Sequence, residues 1–344
     1  MNAKNSTISI AMTTYNGDKF VSEQIDSILN QTLKPKEIVI SDDCSNDNTS
    51  CILIEYQKKY PEMIKIIFNK EHLGGIKNAE KAAVNTCGDI IAFSDQDDVW
   101  LPQKLEKQFE VLLNYPNIGM VFSDLKVVNE HLNVIYDSMW ETSHWKIKGI
   151  LKKEYFFKKE IIHNYVSGCT IMIRKGVLNK SLPFLNNKLY PPDYWMTLSA
   201  LTEMDVFAIN EQLILYRQHE NNWVGAPKVK KRSTGNSIVL EQAQVFNEVI
   251  TSYEILINKL NLTKNQKIYT LNILKLLKKR MTLYTSRGIL NKLRIFLSLL
   301  LNMNIYFTKY GKSTLKELSK DFIFTISPKT YEKVKSIFKK IMRI

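Results

Sequence analysis

Between Thr7 and Ser123, short and nearly unbroken apolar runs alternate with amphipathic stretches, and that alternation leaves few folds open. A run apolar at successive positions is a strand covered on both faces, whereas an amphipathic connector of ten or more residues is a helix able to carry the chain back to a parallel neighbour. The pattern predicts strands at about Thr7–Thr13, Glu37–Asp42, Met63–Phe68, Asp89–Ser94 and Gly119–Ser123. Helices fit between them at about Lys19–Asn30, Thr49–Tyr60, Ile76–Asn85 and Leu101–Asn114. Asp47 and Asn48 precede the second helix as capping residues, and Pro61 ends it. The expected architecture is an α/β fold, a Rossmann-like, mostly parallel sheet flanked by helices.

Beyond residue 125 the pattern changes. Residues 126–225 are irregular: aromatic-rich stretches flank an extended Ser167–Lys175, and PPDYWMTLSAL reads as a loop entering a short helix. A basic linker, KVKKRSTGNS, follows Gly225-Ala226-Pro227, and the remainder reads as helices at Ile238–Leu260, Lys264–Tyr284 and Leu290–Phe307 with a Lys-rich tail. Two domains are therefore expected, residues 1–226 and an all-helical extension of residues 227–344.

Charge divides at the same place. Residues 1–225 carry 24 Lys and Arg against 28 Asp and Glu, while residues 226–344 carry 24 against 6, a net of +18 within the overall +14. The first part suits small-molecule chemistry with bound cations, and the second an anionic surface. No stretch reads as a secretory signal or a membrane-spanning helix, and the four cysteines form no zinc pattern, so a reduced cytosol is expected.

The chemistry concentrates at strand ends, where open α/β sheets bind ligands. SDQDDVW follows the strand DIIAF directly and sets Asp95, Asp97 and Asp98 within four residues. Carboxylates so crowded repel one another unless solvent or a hard cation relieves them, and Mg²⁺ or Mn²⁺ commonly bridges such groups to phosphates. From local sequence alone the same segment also reads as an acidic turn capping the next helix. Asp42 and Asp43 end another strand, and Thr13 and Tyr15 a third; a carboxylate there can accept from a base N–H or a ribose hydroxyl, and Tyr15 can frame a base. In HLGGIKNAEKA, two glycines before a helix permit close approach of an anion. Asp193, between prolines and aromatics in PPDYW, gains basicity from partial desolvation and reads either as a general base or as a helix cap. In LYRQHENNW, Arg217 and His219 share one side of an extended segment, where Arg suits a diphosphate and imidazole a metal.

ISIAMTTYNG, IVISDDCSNDNT and IIAFSDQDDVWLPQKLE, in that order and spacing, resemble the family 2 glycosyltransferases of the GT-A fold. SGCTIMIRK, PPDYW and LYRQHENNWVGA extend the resemblance to a rhamnosyltransferase-like branch that makes bacterial surface polysaccharides. The resemblance covers residues 6–226 and none of the basic extension. It implies an inverting, metal-dependent transfer of a sugar from a UDP- or dTDP-sugar to a lipid-linked saccharide. Thr13, Tyr15, Asp42, Asp95 and Arg217 would hold the nucleotide, Asp95, Asp97 and His219 the Mg²⁺ or Mn²⁺, and Asp193 would be the catalytic base. Pro192 stands where the branch often has His or Glu, a departure in the acceptor region. The basic helices are expected to hold the protein to the inner face of the cell membrane, with a homodimer as the other use of such a module. No nucleic-acid partner is expected. Two other readings remain open at this level: a metal-dependent nucleotidyltransferase, for which MTTYNGDKF lacks the usual Gly- and Lys-rich loop, and a basic RNA- or membrane-binding module with an inactive GT-A domain.

Overall fold

A computed structural model describes residues 6–187, 189–220, 236–286 and 288–300. The chain divides into two compact units, Met1–Ala226 and Pro227–Ile344.

The first unit opens with β1 (Ile8–Thr14), α1 (Val21–Leu29), β2 (Glu37–Asp42), α2 (Thr49–Lys59), β3 (Ile64–Phe68), α3 (Gly75–Val84) and β4 (Ile90–Ser94). These strands pair in parallel in the order β3-β2-β1-β4. Ile8, Ile10, Met12, Ile38, Ile40 and Ile90 are buried with Val21, Ile25 and Ile28 of α1, which is why the strands read as continuous apolar runs and the helix as an apolar stripe. Every strand and helix expected here lies within a few residues of its predicted place.

Then come β5 (Val99–Trp100), α4 (Lys104–Asn114), β6 (Ile118–Asn129), β7 (Val134–Tyr136), α5 (Met139–Thr142), β8 (Gly149–Leu151) and α6 (Lys153–Glu160). The unit closes with β9 (Met172–Arg174), α7 (Lys175–Ser181), α8 (Pro192–Glu203) and β10 (Asp205–Gln218). The sheet continues from β4 through β9, β6 and β10 to β5, with β9 antiparallel to both neighbours, so it is mixed. This is the GT-A architecture, followed by a helical C-terminal region.

Two expectations change. Strand β6 runs well past Ser123 because Asp124, a break in the apolar pattern, is buried and satisfied: it accepts from Ser138 Oγ at 2.5 Å, Gln212 Nε2 at 2.7 Å and the Leu125 and Trp140 amides. Ser167–Lys175 is not one strand. Thr170 N–H donates to Ser167 O and Ile171 N–H to Gly168 O, closing a tight turn at Gly168–Thr170, and only Met172–Arg174 pairs in the sheet.

In the second unit α9 (Asn236–Lys259), α10 (Lys264–Thr285) and α11 (Ile289–Leu300) are described. Thr263 caps α10 reciprocally with Gln266, and Arg280 lies over the Phe246 ring at 4.9 Å. Most of the expected basic linker and the part of the last helix from Leu301 to Phe307 lie outside the described residues. No described helix is long and apolar enough to cross a membrane.

Candidate active site

Sheet register decides which side chains can meet. Met12 pairs with Ser94 across β1 and β4, and Thr14 with Asp42 across β1 and β2, so three carboxyl strand ends share one edge. β5 then pairs antiparallel with Ile214 and Leu215 of β10, drawing the Asp95–Asp98 loop up to the residues that follow β10. As a result His219 Nε2 lies 2.9 Å from Asp97 Oδ2, although 122 residues separate them.

Thr13, Asp95, Asn164, Cys169, Asp193 and Tyr216 all line one cavity with a water-accessible volume of about 250 Å³. Asp95 is exposed to solvent at the cavity, yet protein crowds it closely. That crowding, then the Asp97 and Asp193 charges, push its carboxyl up to about 7. Asp193 stands in the first turn of α8, after Pro192, and Pro191 rather than Asp193 holds the capping position. Burial pushes its carboxyl up to about 6, against the opposing pull of hydrogen bonds from Tyr194 N–H at 2.8 Å and Asn164 Nδ2 at 3.4 Å.

The loop after β1 holds the acidic loop in place. Tyr15 N–H donates to Gln96 Oε1 at 2.8 Å, and Gln96 Nε2 donates back to Tyr15 O at 3.0 Å. A Cβ on Gly17 would come within 2.2 Å of Gln96 Oε1, so only glycine admits this clasp. The Tyr15 ring stands 46% exposed at the rim, 4.7 Å from the His72 ring. Gln96, the middle residue of Asp95-Gln96-Asp97, carried no signal of this role, because the clasp depends on the register of β1 against β4.

Two residues expected at the nucleotide, Asp42 and Arg217, are engaged within the protein. Asp42 is 1% exposed and accepts from Thr14 Oγ1 at 2.8 Å, Ser45 Oγ at 2.6 Å and Ser45 N–H at 3.0 Å; it ties β1 to the turn after β2 and does not line the cavity. Neighbouring Asp43 accepts from the Leu73 and Gly74 amides at 2.7 and 2.8 Å, fixing the glycine turn before α3. Arg217 is also buried, and its guanidinium donates to Asp97 O at 2.8 Å, to Glu130 O and to Glu23. Lying over the Phe20 ring at 4.5 Å, it clamps the acidic loop.

The expected metal ligands assemble in part. Asp97 and His219 are paired and only 14% and 11% exposed, with Asp95 two residues away. Oxygen-rich donors with one imidazole suit Mg²⁺ or Mn²⁺, and a cation there would relieve the repulsion that raises Asp95. Among the described residues, however, the three donors that converge within 4.8 Å of one another are Asp95, Asp98 and Cys169. Glu160 was not foreseen: fully buried, it accepts from Tyr165 N–H at 3.2 Å, and burial raises its carboxyl well above the usual range.

Comparison with known proteins identifies the family and the fold. The family model for glycosyl transferase family 2 matches residues 9–180. A dTDP-rhamnosyl transferase, RfbG of Shigella flexneri, is 33% identical over 226 residues, 62% of this chain and 74% of its own. A UDP-Glc:alpha-D-GlcNAc-diphosphoundecaprenol beta-1,3-glucosyltransferase, WfgD of Escherichia coli, is 30% identical over 59% of this chain and 73% of its own. Among solved structures, TarS 1-349 of S. aureus in complex with UDP-GlcNAc aligns with a TM-score of 0.54 at 17% identity, covering 93% of this chain and 82% of its own. A mannosyltransferase from Pyrobaculum calidifontis with GDP-Man and Mn²⁺ aligns at 0.50 and 14%, covering 94% and 88%. At those identities the structural likeness speaks for the fold alone.

Proposed function

The chain belongs to glycosyl transferase family 2, and from that premise we propose that it transfers a sugar, with inversion, from a UDP- or dTDP-sugar to a lipid-linked saccharide in cell-surface polysaccharide synthesis. The observation that carries this reading is that Asp95 and Asp193, nearly a hundred residues apart, line one cavity, with the Asp97–His219 pair beside it.

In this reading residues 1–226 are the catalytic domain. Thr13 and Tyr15 frame the nucleoside, and Asp95 reaches toward the ribose. Asp97 and His219 would hold a Mg²⁺ or Mn²⁺, with Asp95 as a further oxygen ligand. Such an ion, when bound, neutralises charge on the diphosphate as the glycosidic bond breaks. Asp193 takes the proton from an acceptor hydroxyl, whose oxygen forms its bond to the anomeric carbon on the face opposite the departing diphosphate. A single displacement of this kind inverts the centre. Asn164 orients the Asp193 carboxylate from the cavity wall. Three features support the assignment of the base: its raised carboxyl, its place on a rigid helix and its opening to the cavity.

The two relatives' names motivate the donor and acceptor classes, since one carries dTDP-rhamnose chemistry and the other a diphosphoundecaprenol acceptor. Residues 227–344, with their net charge of +18 from residue 226 onward, are assigned to the anionic inner face of the cell membrane, or to a homodimer contact. A panel of UDP-, dTDP- and GDP-sugars with Mn²⁺ or Mg²⁺ tests the reading. Release of nucleoside diphosphate from one donor, dependent on acceptor and metal, is expected. Release of pyrophosphate from nucleoside triphosphate and sugar phosphate would instead identify a nucleotidyltransferase.

A further inference from the structure

Below the cavity floor lies a donor set of a different chemical kind. One ligand atom each of Asp95, Asp98 and Cys169 falls within 4.8 Å of the other two. Asp98 is fully buried, and its Oδ2 has no hydrogen-bond partner, while its Oδ1 accepts from Arg217 N–H at 3.2 Å. The Cys169 thiol is buried beside the Asp98 carboxyl. Cys169 also lines the cavity, so the set opens to the space where substrate enters. The tight turn at Gly168–Thr170 aims it there, between the cavity and the buried end of the acidic loop.

We propose that Asp95, Asp98 and Cys169 form a second cation site, selective for thiophilic divalent ions such as Zn²⁺ or Cd²⁺, whose occupation inhibits the enzyme by taking Asp95 away from the donor. Two carboxylates and a thiolate are a poor set for Mg²⁺, which demands oxygen ligands in octahedral array, and a good one for zinc, which accepts sulfur at ~2.3 Å and carboxylate oxygen at ~2.0–2.2 Å. With those bond lengths, ligand atoms around a tetrahedral ion lie about 3.5 Å apart, so the set must contract slightly. Asp95, the exposed member, can supply the movement, while Asp98 and Cys169 are held by packing. The unpartnered Asp98 Oδ2 supplies a lone pair already stripped of water. On binding, the thiol proton and the proton of the buried Asp98 carboxyl leave to solvent as the metal–sulfur and metal–oxygen bonds form. Lys104 lies buried nearby, its Nζ 3.6 Å from the Trp100 ring centroid, and burial lowers its amine to about 7, which weakens its repulsion of a cation.

Inhibition rests on the proposed role of Asp95, but binding does not, so the test reads both. In a background where Cys44, Cys51 and Cys87 are serine, titration with Cd²⁺ is expected to give one equivalent of thiolate-to-metal ultraviolet absorption. Cys169→Ser should abolish that absorption, and Asp98→Asn should weaken Cd²⁺ binding. Zn²⁺ inhibition, measured relative to each variant's own rate with Mn²⁺, should relax by roughly tenfold or more in Cys169→Ser. Should Cys169→Ser fail to fold, Asp98→Asn with its weakened Cd²⁺ signal carries the test. Absence of thiolate absorption in the background protein, or a signal unchanged by Asp98→Asn, overturns the site. Absorption that behaves as expected in a protein without transferase activity upholds the site and rejects the proposed function instead.

Discussion

Asp193 sits half-buried at the start of α8, where loss of water costs its charged form more than the nearby N–H donors return, and its carboxyl is pushed up to about 6. A base works only when ionised, so the rate is expected to be low below pH 6, to rise tenfold per unit approaching it and to level off above it. Asp193→Asn should lower kcat by about 10²–10⁴ and remove that acidic limb, while nucleotide affinity stays near wild type. Steady-state rates from pH 5 to 8 beside a binding titration check this, and a variant that turns over normally rejects the base. Asp193, Asp95 and Asp97 were legible in the sequence because each is an acid beside a strand end or a proline break. Gln96, Asn164 and Cys169 were not, since their importance lies in partners 29 to 81 residues away.

At the scale of elements, the decisive feature is β10, fourteen residues long and shifted three times in register against β6. It brings Arg217 beneath the acidic loop and His219 beside it. The alternation in LYRQH correctly suggested an extended segment. It could not show that the Arg217 side chain turns inward to hold the acidic loop. Arg217→Met should cost about 1–3 kcal/mol for each of the Asp97 and Glu130 carbonyls left without a donor. Glu23, 54% exposed, is solvated and adds little. Urea denaturation reads the loss directly. An unchanged midpoint with weakened nucleotide binding would restore Arg217 to the diphosphate. The parallel half of the sheet was readable for the opposite reason: strands buried on both faces advertise themselves as apolar runs, whereas β6 hides its length behind the internally satisfied Asp124.

For the whole molecule, the two units invite separate roles. The described part of the second unit leaves Ile289, Leu290, Leu293 and Leu297 exposed on α11, a helical stripe accompanied by Lys292 and Arg294. Each surface-proximal cation adds about 1 kcal/mol of attraction to an anionic leaflet. The intact chain is expected to sediment with anionic vesicles and to be released by salt, and removal of residues 228–344 should abolish sedimentation; equal sedimentation by the truncated chain removes the membrane role. Composition and charge change along the sequence near residue 226, but the cavity's assembly from three strands, a turn and two helices is a property of the folded chain alone.

The most direct test of a cation-bridged donor site is a calorimetric titration of UDP, dTDP and GDP into the protein with and without Mn²⁺, repeated for Asp97→Ala. The predicted result is that one nucleotide binds at least about tenfold more tightly with Mn²⁺, a gain of about 1.4 kcal/mol, and that Asp97→Ala erases the difference. Equal affinity with and without the metal in the wild-type protein would contradict it.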